Sequence, residues 1–310
     1  MSAPLLAAPL LAAGVAISES PDAAGALLRA ALGLHPVAAR AAGAPLAALA
    51  VGQTVLAIVP PGHPLTGGAT RPGVHHLVFA VADPEAAARA AGLAVTPVAG
   101  LGDTPHFALD PTATAGARIH LAALSDALAA PTPAPLAPRF DHVGIASADN
   151  AAAIGVFRDR LGLPLESQQT DMEIAVAIET FTSDRYGVVT HARPPVPVGG
   201  LRVAFLTAGE TELEFLQNFD PAQGGEVRHD AAGTTRQDQG AIARYVARHG
   251  PGLHHLAFRT PDIGAALGAM ERAGARLIDR TGRPGSRRAL IGFVHPAALG
   301  GVLVHFVQRP

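Results

Sequence analysis

The chain has 310 residues, 49% hydrophobic and only 15% charged, with 34 Gly and 27 Pro; it is too long for one small module and too apolar for a disordered chain. Lys plus Arg total 23 against 25 Asp plus Glu, a net charge of -2, so no extended positive field for nucleic acid exists. Cys is 0 and every cation is an arginine, which excludes disulfides, thiolate ligands, cysteine nucleophiles and lysine Schiff-base or phosphate-loop chemistry, and leaves imidazoles and carboxylates to hold any metal.

The first apolar run, Leu5 to Ile17, contains Pro9, follows no basic residue and falls short of the ~20 residues that cross a bilayer. It reads as the start of a buried strand, and the protein is expected to be soluble and cytoplasmic, with no membrane partner. Residues 1–128 form a first unit. The segment 129–138 alternates Pro with small residues, as a semi-rigid extended linker does, and 139–310 form a second unit. In that unit Phe140 to Ser147 reads as a strand, Asn150 to Leu161 as a helix, and Leu201 to Leu206 and Glu212 to Leu216 as strands joined by a turn at Gly209. A helix from Asp238 to Arg248 leads to strand Leu253 to Arg259, helix Asp262 to Ala273, and strands Leu290 to Val294 and Val302 to Val307. Gly199-Gly200 and Gly224-Gly225 read as turns.

The two units look like copies of each other. Leu11-Ala-Ala-Gly-Val-Ala-Ile-Ser18 aligns with Phe140-Asp-His-Val-Gly-Ile-Ala-Ser147, and the match runs without a gap to Leu32-Gly-Leu34 and Leu161-Gly-Leu163. Gly73-Val-His-His-Leu-Val-Phe79 matches Gly252-Leu-His-His-Leu-Ala-Phe258, and Gly116-Ala-Arg-Ile-His-Leu121 matches Gly301-Val-Leu-Val-His-Phe306. The order of elements gives two βαβββ modules per half, four in all. The predicted class is α+β, with mostly antiparallel sheets that carry helices on one face and form clefts on the other.

Side chains alternate across a strand, so parity assigns faces. His142 shares a face with Gly144 and Ala146, Glu214 opposes Leu213 and Phe215, His255 sits with Ala257, and His305 opposes Val304 and Phe306. Each strand thus has an apolar face and one donor on the other. Lone strand histidines are usually satisfied polar residues, and a strand carboxylate is usually exposed. Four donors on matching faces instead point to a single divalent ion held by His142, Glu214, His255 and His305. His254, on the apolar face, reads as a buried structural histidine, and His295 before Pro296 as the start of a turn.

Asp141-His-Val-Gly-Ile-Ala146, the Gly252-Leu-His-His-Leu-Ala-Phe258 strand and Phe293-Val-His-Pro-Ala-Ala-Leu-Gly-Gly-Val-Leu-Val304 resemble the vicinal oxygen chelate (glyoxalase/bleomycin-resistance/dioxygenase) superfamily. Residues 139–310 resemble methylmalonyl-CoA epimerase, apart from an insertion near 168–199. The resemblance implies a divalent metal held by a His in the first strand, a Glu or Gln in the fourth, the second His of the His-His pair and a Glu in the last strand. These positions carry His142, Glu214, His255 and, in place of the last Glu, His305. The metal would be Zn, Fe, Co, Ni or Mn, and the partner a small-molecule substrate. The implied activity is an isomerase or epimerase working through a metal-stabilised enolate on a small carbonyl or acyl-CoA compound. The epimerase base falls near Val198, which takes no proton; Asp171, Glu173 or Glu179 in the insertion could replace it, with Glu173 and Glu179 assigned as catalytic.

The four-module length also resembles the extradiol ring-cleaving dioxygenases and 4-hydroxyphenylpyruvate dioxygenase, whose iron lies in one half. Those enzymes use two His and one Glu, and here Glu214 would have to supply the carboxylate. A third reading is a non-catalytic, resistance-type ligand-binding protein. In the N-terminal half, Ala13 and Ala57 stand where His142 and Glu214 stand in the other, leaving only His76 and His120, so no metal is expected there. Arg276, Arg280, Arg283, Arg287 and Arg288 read ordinarily as a solvated basic edge. Their functional reading, assigned to Arg287 and Arg288, is capture of an acidic substrate or the phosphates of coenzyme A. With both halves in one chain, a monomer or a homodimer is expected.

Overall fold

Each of the four modules opens in the same way, with an apolar strand, a short polar turn and a helix. The protein's structure is a computed structural model that describes residues 10–123, 134–219 and 240–310. Residues 129–133 of the expected linker, Gly224-Gly225 and the first residues of the helix expected at 238–248 lie outside them.

The first half contains β1 (Leu10–Ile17), α1 (Pro21–Leu32), β2 (His35–Pro36), β3 (Ala39–Ala41), β4 (Ala44–Val51) and β5 (Thr54–Val59). It continues with β6 (Gly73–Val81), α2 (Pro84–Ala90), β7 (Val95–Val98), β8 (His106–Leu109) and β9 (Ile119–Ala123). The second half begins with β10 (Phe140–Ser147) and α3 (Asn150–Ile154), which runs on as a π-helical segment, Gly155–Arg160. Then come β11 (Leu165–Ala175), β12 (Ile178–Ser183), β13 (Gly187–Ala192), β14 (Val196–Ala208) and β15 (Thr211–Phe219). The last elements are α4 (Gly240–His249), β16 (Gly252–Arg259), α5 (Ile263–Arg272), β17 (Arg283–Pro284), β18 (Leu290–Val294) and β19 (Val304–Gln308).

Three of the strand-to-helix turns are held by an aspartate. Asp83, Asp149 and Asp262 accept backbone N–H bonds from Ala86, Ala151 and Ala265, each at 2.9 Å, satisfying donors that a helix start leaves open. The strands assemble into a nine-stranded sheet ordered β2-β4-β5-β1-β6-β9-β8-β7, with β3 paired to β4, and an eight-stranded sheet ordered β11-β14-β15-β10-β16-β19-β18-β17. Most pairs are antiparallel; β1–β5, β6–β9, β10–β15 and β16–β19 are parallel. The α+β architecture of tandem βαβββ modules is thus present in both halves.

Gly199-Gly200, expected as a turn, lie inside β14, and the insertion near 168–199 is extended chain. It lengthens β11 and β14 and folds β12 and β13 into a separate two-stranded hairpin, because its alternating Val, Ile, Phe and Thr residues favour extended pairing. The hairpin leaves Ile178, Phe181, Tyr186 and Val188 exposed.

One apolar core runs through both halves, joining Leu28 and Leu32 of α1, Leu77 and Phe79 of β6, Phe140 and Ile145 of β10, and Leu267 and Met270 of α5. Burying these faces fixes which side of each sheet remains for chemistry. On the first sheet that remaining side is largely filled by Ala13, Val15, Ala57, Val59 and Leu65. On the second it carries polar groups.

Candidate metal centre

Strand register determines where those polar groups meet. Gly144 of β10 pairs with Glu214 of β15 on one side and His255 of β16 on the other. Two residues back on the same face, His142 pairs with Ala257, and Ala257 pairs with His305 of β19. Donors and small residues therefore alternate across four adjacent strands. A β-carbon on Gly144 would overlap the His255 ring, so the glycine is what allows that imidazole to lie across β10.

His142, Glu214, His255 and His305 are buried, none more than 5% exposed. His142 Nε2 is 3.1 Å from Glu214 Oε2, His255 Nε2 is 3.5 Å from the same oxygen, and the two nitrogens are 3.4 Å apart. A tetrahedral ion with bonds of about 2.1 Å separates its donors by about 3.4 Å, which this triangle matches. The His305 ring centroid lies 5.0 Å from that of His142 and 4.7 Å from that of His255. Neither nitrogen of His305 has a hydrogen-bond partner among the described residues, and a buried unpaired nitrogen is costly. The three imidazoles offer nitrogens within 4.8 Å of one another. This donor set fits a borderline divalent cation such as Zn, Fe, Co or Ni better than an all-oxygen ion such as Mg.

A second layer of contacts orients the donors. Asp141 Oδ1 holds His142 Nδ1 at 2.8 Å and so turns Nε2 toward Glu214. Arg309 grips Asp141 with Nε to Oδ2 at 3.1 Å and Nη2 to Oδ1 at 2.5 Å, and Arg259 reaches it at 3.4 Å. His254 Nδ1 lies 3.0 Å from His255 Nδ1, with its ring edge-on to Tyr245. The expectation of a buried structural His254 is corrected to this extent: it is half-buried and partners the ring beside it. His295 caps the turn Pro296–Leu299, accepting from Ala297 N.

The charges follow from this packing. Burial disfavours charge on His142, but the Glu214 carboxylate and the Asp141 hydrogen bond outweigh it and raise the pKa to about 9. Burial alone would raise Glu214; the charge and hydrogen bond of His142 instead hold it well below the usual carboxylate range. Burial lowers His255 and pushes His305 well down. Asp141 is held low by His142 and Arg309 despite its burial.

The three carboxylates considered as bases sit very differently. Glu179 is exposed on the β12–β13 hairpin, paired with Arg193 at 2.8 Å, because among the described residues that hairpin pairs only with itself. Glu173 lies on β11, its backbone opposite Gly199. Asp171, two residues earlier, is buried. Burial, with the Glu214 charge adding to it, lifts Asp171 to about 6 against the hydrogen bonds donated by Gln169 Nε2 at 3.0 and 3.1 Å. Val198 is exposed.

Arg287 and Arg288 form the end of a turn, Ser286–Arg288, with left-handed backbone at φ 55° and 59°. Arg287 lies 3.5 Å over the Phe205 ring centroid, clasps Glu212 with both Nη atoms and reaches Glu166 at 2.5 Å. Its fork is therefore engaged by carboxylates of its own chain, while Arg288 is exposed. Ser286 and Ala289 line the small void over the cluster, which measures ≈ 30 Å³. Larger clefts of ≈ 460 and ≈ 550 Å³ lie along the seam between halves and on the first half.

Sequence reasoning passed over one further residue. His106 of β8 is buried beside His76 and His120, and the three offer nitrogens within 4.8 Å of one another. A scan for histidines on every strand, not only the duplicated ones, would have found it. No helix among the described residues is long and apolar enough to cross a membrane.

Residues 141–293 match the Glyoxalase/Bleomycin resistance protein/Dioxygenase superfamily. Ethylmalonyl-CoA/methylmalonyl-CoA epimerase of Cereibacter sphaeroides is 26% identical over 172 residues, 55% of this chain and 97% of that protein. Human mitochondrial methylmalonyl-CoA epimerase is 26% identical over 140 residues, 44% of this chain and 68% of that protein. A mutant 4-hydroxymandelate synthase from Streptomyces coelicolor has the same fold across both halves, with a TM-score of 0.60 over 97% of this chain and 92% of that one at 14% identity.

Proposed function

The C-terminal half belongs to the glyoxalase/bleomycin resistance/dioxygenase superfamily, and from that premise we propose a divalent-metal-dependent isomerase or epimerase acting on a small carbonyl or acyl-CoA substrate. The observation that carries the reading is the triangle of His142 Nε2, His255 Nε2 and Glu214 Oε2, with sides of 3.1 to 3.5 Å, beside the unpartnered ring of His305. These four residues hold the ion. When bound, it supplies Lewis acidity toward a carbonyl oxygen and so eases loss of the neighbouring α-proton.

The chain's own groups do the rest. The carboxylate we assign as proton acceptor is Asp171, buried on β11 and close enough to Glu214 to feel its charge, where burial makes the charged form less stable, as suits a base working near neutral pH. Asp141, clamped by Arg309, keeps the His142 ring in one orientation and tautomer. The turn Ser286–Arg288, pinned by Glu212 and Glu166, keeps water out. With only ≈ 30 Å³ free beneath it, this turn has to move for substrate to enter. The relatives named as methylmalonyl-CoA epimerases support the acyl-CoA class of substrate.

The test is to strip the protein, reload it with Co, Ni, Zn or Mn, and follow solvent deuterium into the α-position of acyl-CoA and 2-oxo acid candidates. Incorporation that disappears in both Glu214→Ala and Asp171→Asn, with metal retained in the latter, is the expected result. No incorporation with any loaded metal would remove the isomerase reading.

A second reading has its own observation: two imidazoles and one carboxylate on one ion are the donor set of non-haem Fe(II) oxygenases, and His142, His255 and Glu214 make that set. Oxygen uptake with catechols or aryl pyruvates after anaerobic Fe(II) loading distinguishes it.

A further inference from the structure

The first half carries its own cluster of imidazoles. His76 of β6, His106 of β8 and His120 of β9 are all buried, with nitrogens within 4.8 Å of one another. His76 and His120 stack with centroids 3.9 Å apart and His106 meets His120 edge-on at 6.2 Å, so one ring of the stacked pair has to turn before both in-plane lone pairs reach a shared ion. His76 Nε2 and His120 Nδ1 have no hydrogen-bond partner among the described residues. Buried nitrogens left in that state point to a ligand that completes them.

The duplication explains how the cluster arose. His76 and His120 occupy the places of His255 and His305, and His75 Nδ1 lies 2.8 Å from His76 Nδ1 just as His254 partners His255. Both halves therefore aim the Nε2 of the second histidine inward by the same device. The other flank has changed, with Ala13, Val15 and Ala57 where the second sheet has His142, Gly144 and Glu214. In exchange, β8 brings His106 to the place held by Ile291 of β18, since Ala108 and Phe293 are the equivalent partners of His120 and His305. The donor set has moved from one flank of the histidine pair to the other.

We propose that the N-terminal half binds a second divalent cation through His76, His106 and His120. Three imidazoles without a carboxylate suit Zn, Ni, Co or Cu over oxygen-seeking ions, and leave a fourth position for an exogenous oxygen donor. His120 lines a cleft of ≈ 550 Å³ together with Arg118 and His75, so a small anionic oxygen ligand can approach from that side. Binding has one local consequence: the Leu101 N–H, which donates to His106 Nε2 at 3.2 Å, is disturbed when that ring takes a metal.

The experiment is equilibrium dialysis of the full chain against Co(II), with cobalt per chain measured for the native protein, His106→Gln and His255→Gln, each checked by circular dichroism in metal-free buffer. The expected counts are two for the native protein and one for each variant. A native count of one that His106→Gln keeps and His255→Gln loses would overturn the proposal. A count of one lost only in His106→Gln would support it while removing the C-terminal site, so the two sites fail separately. Should His106→Gln not fold, the Leu101 amide resonance of His255→Gln, whose C-terminal cluster adds no paramagnetic shift of its own, decides. It shifts or broadens as cobalt is added if the site exists, and stays unchanged if it does not.

Discussion

Asp141 illustrates how a residue that need not touch an ion can govern its binding. Its carboxylate is held low by His142 and Arg309 and in turn sets which nitrogen of His142 faces Glu214. Asp141→Asn leaves the backbone and volume alone, so we expect metal affinity to drop by about 10- to 100-fold, read by competition with a coloured chelator. Unchanged affinity would mean that the outer contact does not orient the ring. The same residues define a pH dependence for the metal-free protein. His142, raised to about 9 from 6.5, contributes stability that is fully present below pH 6.5 and is lost as pH rises through about 9. Glu214, lowered from 4.5, contributes above that value and loses its contribution as pH falls. With every cation an arginine and only 2 Tyr, little else titrates between pH 7 and 10. Urea unfolding should therefore show a fall of up to about 3 kcal/mol over that interval, absent in His142→Gln; an equal fall in the variant would contradict the assignment. The convergence of His142, Glu214, His255 and His305 is legible in the sequence because each lies on a strand whose opposite face is apolar, Val143 and Ile145, Leu213 and Phe215, Leu256 and Phe258, and Val304 and Phe306. Asp171 and His106 are not, since burial of the first and cross-strand neighbours of the second depend on pairings that parity within one strand cannot supply.

At the scale of elements, β10 is the strand on which the site turns. Every residue from Phe140 to Ser147 is buried, because one face packs on the core and the other is covered by the cluster. Gly144 has no β-carbon to clash with the His255 ring, and Gly144→Ala is expected to displace that ring while leaving the strand paired. Loss of one equivalent of metal with a thermal midpoint lowered by only a few degrees is the predicted outcome; undiminished binding would show that the ring has another place to go. The repeat made the strand, helix and strand order readable at this scale, because β10 and β1 share spacing as well as hydrophobicity. The β12–β13 hairpin was not readable as such. Its run of exposed Val, Ile and Phe has the alternation of a strand but no core to set its face.

Across the whole molecule the two halves meet reciprocally. A β-carbon on Gly116 would overlap the carbonyl of Pro251, and one on its counterpart Gly301 would overlap Pro72, so each half presses the same turn against the same corner of the other. Ser18 Oγ donates to Leu299 O at 3.1 Å, Glu19 N to Gly300 O at 2.9 Å and Arg160 Nε to Ala91 O at 3.0 Å. With one apolar core running through both halves, the chain should unfold in a single calorimetric transition whose van't Hoff and calorimetric enthalpies agree; two resolved transitions would show that the halves are independent. Sequence duplication implies that the halves can pair, but the shared core depends on which helix faces are left free. One ion in the C-terminal cluster underlies the proposed chemistry, and anomalous diffraction at the cobalt edge from crystals of cobalt-loaded protein locates it. The predicted result is a peak bonded at about 2.0–2.3 Å to His142 Nε2, His255 Nε2, Glu214 and His305. Those four side chains bonded only to one another, with no peak between them, would contradict it.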